Sequence, residues 1–331
     1  MDSFYPHNEA ADLVQIWSLK ASNEDAPLVK AGLSFPAYSI DSDLLKIKKF
    51  DGGDTAKVYV SDLQLSEKRT SEGIFSVVGV LCAKELPPVK KHVMNPKRVP
   101  YIRQHAGIVG YGALAFEQSL MNLSSIGYDM VVAFGSREIE GWKTEKTHAV
   151  GGPELSSSCR YFTVGKNTPD NSKVAFPSAV DPFGVLSSYV NETVNHCFDN
   201  DVMYMQYNDK TRRCMLKDPA TFQLGDVVEM GVSLVTWKTG RNNTLESKYT
   251  TKLVLRTLTF LDGSLSRKAY IARNARPVKS ININTEEVLN TLSLKRARFV
   301  EDQLHETFEG DEQETCETRR KLARMNLDDV E

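Results

Sequence analysis

The sequence has no apolar run of the roughly 18 residues that a membrane-crossing helix needs. It has no Cys-x-x-Cys pair, and its five cysteines, Cys82, Cys159, Cys197, Cys214 and Cys316, are odd in number and widely spaced. A disulfide framework and a zinc site built on short-range spacing are both excluded by that pattern, and no metal is expected. No basic stretch followed by an apolar one opens the chain, so a secretory signal is not expected. Thiols of this kind fit a reducing compartment, cytoplasm or nucleus. The sequons at Asn122, Asn191 and Asn242 then read as chance. Walker loops, dinucleotide fingerprints, Gly-x-Ser-x-Gly and His-Glu-x-x-His are all missing. No cofactor and no catalytic activity are therefore expected. Internal repeats and low-complexity tracts are missing too.

What is present is ordinary in amount and uneven in distribution. The 331 residues are 41% hydrophobic and 25% charged, enough to bury a large core. From Glu301 to Glu331 there are 11 acids and 4 bases, a net of −7, against −2 for the whole chain. Residues 1–300 therefore carry +5, a mildly basic body joined to an acidic tail.

Periodicity predicts a helix over 10–20 with Leu13, Ile16 and Trp17 on one face. Asp51-Gly52-Gly53-Asp54 is a turn. Strands are expected over 57–65 and 73–83, paired as a hairpin, with further strands over 130–134 and 159–164. Residues 107–116 suit a buried strand or a helix beginning near Ala113. Asp181-Pro182 has the form of a helix start, with Leu186, Tyr189, Val190 and Thr193 following on one face. Strands are expected over 201–207 and 211–216. Two long ones, 227–238 and 249–261, follow, joined by Thr239-Gly240-Arg241-Asn242-Asn243. A helix is expected from Thr285. The whole reads as an α+β protein dominated by antiparallel β. We expect a strand-rich region over 1–170, a β-unit over 171–278, and a charged helical or partly disordered tail over 279–331.

Two groups suggest chemistry and do not sustain it. Gly107, Gly110 and Gly112 have the wrong spacing for a phosphate loop, and close packing explains them more simply. His196-Cys197, with Cys214 downstream, invites a thiol or metal role without ligand spacing. Three basic segments say more. Lys90, Lys91, Lys97, Arg98 and Arg103 surround Tyr101 with no acid among them. Arg267, Lys268, Arg273 and Arg276 surround Tyr270 in the same way. Around the loop between the long strands stand Trp237, Lys238, Arg241, Lys248 and Tyr249, with Arg256 beyond. Cations attract phosphates and flat rings stack on unpaired bases, so single-stranded DNA or RNA is the expected partner. The alternative is a self-assembling, coat-like homo-oligomer without catalysis.

The segment Phe222-Gln-Leu-Gly-Asp-Val-Val-Glu-Met-Gly-Val-Ser-Leu-Val, with Lys252-Leu-Val-Leu-Arg-Thr-Leu-Thr-Phe-Leu-Asp262 after it, resembles the strand pair of oligonucleotide-binding (OB-fold) barrels in single-strand-binding proteins. That resemblance implies an OB-like barrel in at least one unit; a β-sandwich is the alternative. The same stretch, with Val180-Asp181-Pro182 and His196 to Asn200, also resembles uncharacterised proteins of mushroom-forming (basidiomycete) fungi. An origin in mobile elements would follow from that likeness. It supplies no catalytic residue.

Overall fold

The computed structural model describes residues 3–21, 34–40, 43, 45–50, 55–61, 70–134, 142, 144, 146–148, 151–165, 173–238 and 249–275. The elements are α1 (His7–Ala21), β1 (Phe35–Pro36), β2 (Leu45–Phe50), β3 (Thr55–Ser61), β4 (Thr70–Glu72), β5 (Phe75–Glu85), β6 (Arg103–Val109) and α2 (Leu114–Ala133). They continue with β7 (Lys146–His148), β8 (Gly152–Arg160), β9 (Thr163–Val164), β10 (Val194–Asn195), β11 (Met203–Asn208), β12 (Arg213–Leu216), β13 (Val227–Lys238), β14 (Tyr249–Asp262) and α3 (Ser264–Asn274). Residues 1–275 form one compact unit and 276–331 another, of which only the first contains described residues. No helix among the described residues is long and apolar enough to cross a membrane.

Among the described residues, twelve strands share one sheet, with the main order β12-β11-β14-β13-β5-β6-β8-β7. Pairing is antiparallel except for β11 with β14 and β1 with β5. The α+β, mainly antiparallel expectation is met. The sheet draws strands from both sides of residue 170. It curls enough to bring β14 near β8. No ladder joins those two strands among the described residues, so the sheet stays open and no closed barrel forms.

Burial decides the order. Phe75 to Leu81 of β5 are buried without interruption, which demands a neighbour on each edge and cover on each face. β5 therefore sits between β13 and β6, and the expected hairpin between β3 and β5 does not form. β3 pairs instead with β2, β4 and the far half of β13. β13 thus changes neighbour midway: Val227–Val232 lie along β5 and Val235–Trp237 along β3. Its second half, with β14, β3 and β2, makes a four-stranded arm.

Helix α2 covers the inner face. Phe116, Leu120, Leu123, Ile126 and Met130 recur every three or four residues and are buried. The strand expected over 130–134 is the end of this helix and the turn after it. A short apolar run cannot by itself distinguish the two. Gly110 allows the helix to approach: a Cβ there would lie 2.4 Å from the Phe116 ring. In α1 the buried positions are Ala10, Val14, Trp17 and Ser18, while Ile16 is exposed. The helix start at Asp181 is halted. Its carboxylate accepts from Leu186 N (3.1 Å), Ser187 N (2.8 Å) and Ser187 Oγ (2.7 Å), five and six residues on, rather than from the amides two and three residues on that an N-cap serves. Gly184 adopts φ +67°, and only a 3-10 turn, Ser187–Tyr189, follows.

Candidate nucleic-acid interface

Alternation along a strand sends neighbouring side chains to opposite faces, and register then fixes which residues share a face. In the arm, Lys48, Lys57, Val235 and Lys252 lie in one cross-strand row, and Phe50, Thr55, Trp237 and Thr250 in the next. Lys46 and Tyr59 pair on the same face. Ala56, Val58, Leu234, Thr236, Thr251 and Leu253 point the other way and are buried. One side of the arm thus faces the core, and the other carries lysines interleaved with aromatic rings.

The geometry of that outer face is specific. Lys48 Nζ lies 4.7 Å from the Tyr59 ring centroid, and Phe50 lies 5.8 Å from Tyr59. Lys252 Nζ lies 5.4 Å from the Trp237 ring. Lys46, Lys48, Phe50 and Lys252 are exposed, and Tyr59 and Trp237 are half-buried. Lys57 is drawn to carboxylates: Asp199 at 3.3 Å and Glu72 at 3.7 Å.

The expected site residues are dispersed over this frame. Trp237 is on the outer face, but Tyr249 is not. Tyr249 pairs with Lys238 on the helix side and stacks on Phe134 at 4.2 Å. Arg256 shares the outer face with Lys252 but is only 8% exposed. Its Nε donates to Ser233 Oγ (3.0 Å), Nη1 to Asp199 O (2.6 Å) and Nη2 to Glu72 Oε1 (2.7 Å). The guanidinium is committed to the fold. Lys90, Lys91, Lys97, Arg98 and Arg103 are exposed around the 3-10 turn Pro96–Tyr101 and the start of β6. Tyr101 is 59% exposed, with the Arg160 guanidinium 5.3 Å from its ring. Arg267, Lys268, Tyr270 and Arg273 are exposed on α3, where Lys268 pairs with Glu9 at 2.6 Å. Arg267 and Tyr270 border a cleft of ≈ 330 Å³ with Lys217 and Asp226. Arg241, Lys248 and Arg276 lie outside the described residues, as does the helix expected from Thr285.

Lys46, Lys48, Phe50, Tyr59 and Lys252 were not singled out from the sequence. The signal was there: Leu45-Lys-Ile-Lys alternates with period two and precedes the turn expected from Asp51-Gly52-Gly53-Asp54, which lies outside the described residues. His196 proves to be a core residue. Its ring stacks on Phe176 at 3.9 Å, its Nδ1 lies 2.8 Å from Tyr161 O, and burial lowers its pKa.

No family model matches the chain, and no curated protein matches it. One solved structure aligned to it is described as the crystal structure of gp2.5, a single-stranded DNA binding protein encoded by bacteriophage T7. The TM-score is 0.31 and the identity 11%, over 57% of this chain and 91% of that one. A likeness at that level carries no argument.

Proposed function

We propose that the protein binds single-stranded DNA or RNA with low sequence specificity across the outer face of the β2-β3-β13-β14 arm. One observation carries the reading. Strand register sets Lys46, Lys48 and Lys252 beside the rings of Phe50, Tyr59 and Trp237, on the part of the outer face where Lys46, Lys48, Phe50 and Lys252 are exposed. Lysines would track the phosphates and rings would receive unpaired bases, which any base can supply. A duplex keeps its bases stacked, so it gains only the phosphate part. The curled run β14-β13-β5-β6-β8, open between β8 and β14, supports an OB-like barrel with a gap.

Fluorescence anisotropy on the full chain with labelled single- and double-stranded oligonucleotides tests this. Single strands should bind more tightly, and affinity should fall steeply with salt. Trp237→Ala should cost about 1–3 kcal/mol, the scale of one base–aromatic stack. Replacing Lys46, Lys48 and Lys252 together by Ala should flatten the plot of log K against log salt by about 2, at ~0.7 per lost phosphate contact. Unchanged affinity in both variants would remove the proposal.

A second reading, self-assembly, is favoured by one feature. β12 ends the sheet, and its Met215 and Leu216 are exposed. Such an edge can pair with a second copy. Light scattering without nucleic acid separates the readings: a single monomeric mass rules assembly out.

A further inference from the structure

Away from the arm, three side chains of different chemistry meet over the β5-β6-β8-β7 strands. They are Cys82, His148 and Glu154. Their donor atoms all lie within 4.8 Å of one another, and His148 Nε2 is 2.7 Å from Glu154 Oε2.

The strands build this meeting deliberately. Cys82 is the extra residue of a β-bulge: Leu81 pairs with Ile108 and Ala83 with Gly107, leaving Cys82 unpaired between them. A bulge re-aims a side chain. Glu154 reaches across β6 because the residue it crosses is a glycine. A Cβ on Gly107 would lie 2.4 Å from Glu154 Oε1. His148 arrives on β7, which pairs directly with β8.

Glu154 also shows an unmet need. Its side chain is 1% exposed, and its Oε1 makes no hydrogen bond. The Lys146 ammonium stands off at 3.8 Å and is itself 59% exposed. A carboxylate this buried ordinarily accepts hydrogen bonds or holds a cation.

We propose that Cys82, His148 and Glu154 bind a borderline divalent transition-metal ion, Zn2+ foremost. Sulfur, imidazole nitrogen and carboxylate oxygen together match that class and suit neither magnesium nor calcium, which take oxygen. Zinc–ligand bonds of about 2.0–2.3 Å put tetrahedral donors roughly 3.3–3.8 Å apart. The separations near the 4.8 Å limit therefore close by about 1 Å around the ion, and the His148–Glu154 pair, now 2.7 Å apart, opens by about 0.6 Å. The Cys82 thiol gives up its proton, which leaves to solvent, and Lys146 swings outward. Three protein ligands leave a fourth position for water.

Metal-stripped full-length protein titrated with Co2+ tests the site, read by the thiolate-to-cobalt charge-transfer absorption. One equivalent should develop the band, and Zn2+ should abolish it. The isosteric Cys82→Ser should remove the band while leaving the circular dichroism spectrum unchanged. His148→Gln, at a partly exposed strand end, should weaken binding at least ~10-fold, no less than losing an outer partner of a metal ligand. Lys146→Ala should tighten it, and Cys214→Ser should leave it alone. No band in the wild type, or a band that survives Cys82→Ser, overturns the proposal.

Discussion

Replacing Arg256 with Ala is expected to destabilise the protein by about 3 kcal/mol, the lower part of the range for breaking a buried ion pair. The guanidinium holds together three segments distant in sequence: Glu72 at the end of β4, Ser233 on β13 and the Asp199 carbonyl. That carbonyl also lies 3.6 Å from Cys159 Sγ on β8. Arg256 thus pins the segment filling the gap between β14 and β8. Glu72 would keep Lys57 nearby and is partly exposed, which is why the loss stays at the low end. Arg256→Lys should restore only part of it, because a point cation cannot reproduce a planar fork serving three acceptors. Urea unfolding followed by fluorescence measures both. A loss under 1 kcal/mol for the Ala variant would mean that the gap is held by other contacts.

Glu229→Gln should change the pH dependence of stability as much. Glu229 lies near the start of β13, between Val78 and Thr259 in neighbouring strands. Burial pushes its carboxyl from the usual 4.5 up to about 7, and a hydrogen bond with Ser76 only partly offsets this. The folded state therefore holds the proton more tightly than the unfolded chain. The contribution is fully present below pH 4.5 and is lost as pH rises to about 7. At 1.36 kcal/mol per unit the loss is about 3 kcal/mol. Glutamine is neutral at every pH. The stability difference between wild type and variant should thus shift by that amount, in favour of the variant, between pH 4 and 8. A difference that does not vary with pH would place the Glu229 carboxyl in contact with water.

The long strands and α1 were legible because their patterns are long, whereas α2 entered only as the alternative to a strand near Ala113 and its end was read as a strand. β13 and β14 are runs of 12 and 14 residues rich in β-branched and apolar side chains, and one expected helix begins within a turn of its observed start. What was illegible depends on pairing. Nothing local to 57–65 says that β3 will leave β5 and join β13. The face shared by Trp237, Tyr59 and Lys48 exists only once that choice is made. Tyr249, expected beside Trp237, is one residue out of phase with the face and so turns to the helix side. Arg256 looked like a surface cation because its partners are 23 to 184 residues away. The same holds for Cys82, His148 and Glu154, whose separation in sequence hid any ligand spacing.

Where a single strand touches the protein is the most direct test of the proposed function. Full-length protein is photo-crosslinked to a halogenated single-stranded oligonucleotide, and the modified peptides are identified by mass spectrometry. The account predicts cross-links at Phe50, Tyr59 and Trp237, suppressed by replacing Lys46, Lys48 and Lys252. Cross-links confined to Tyr101 or Tyr270, with none on the arm, would contradict it.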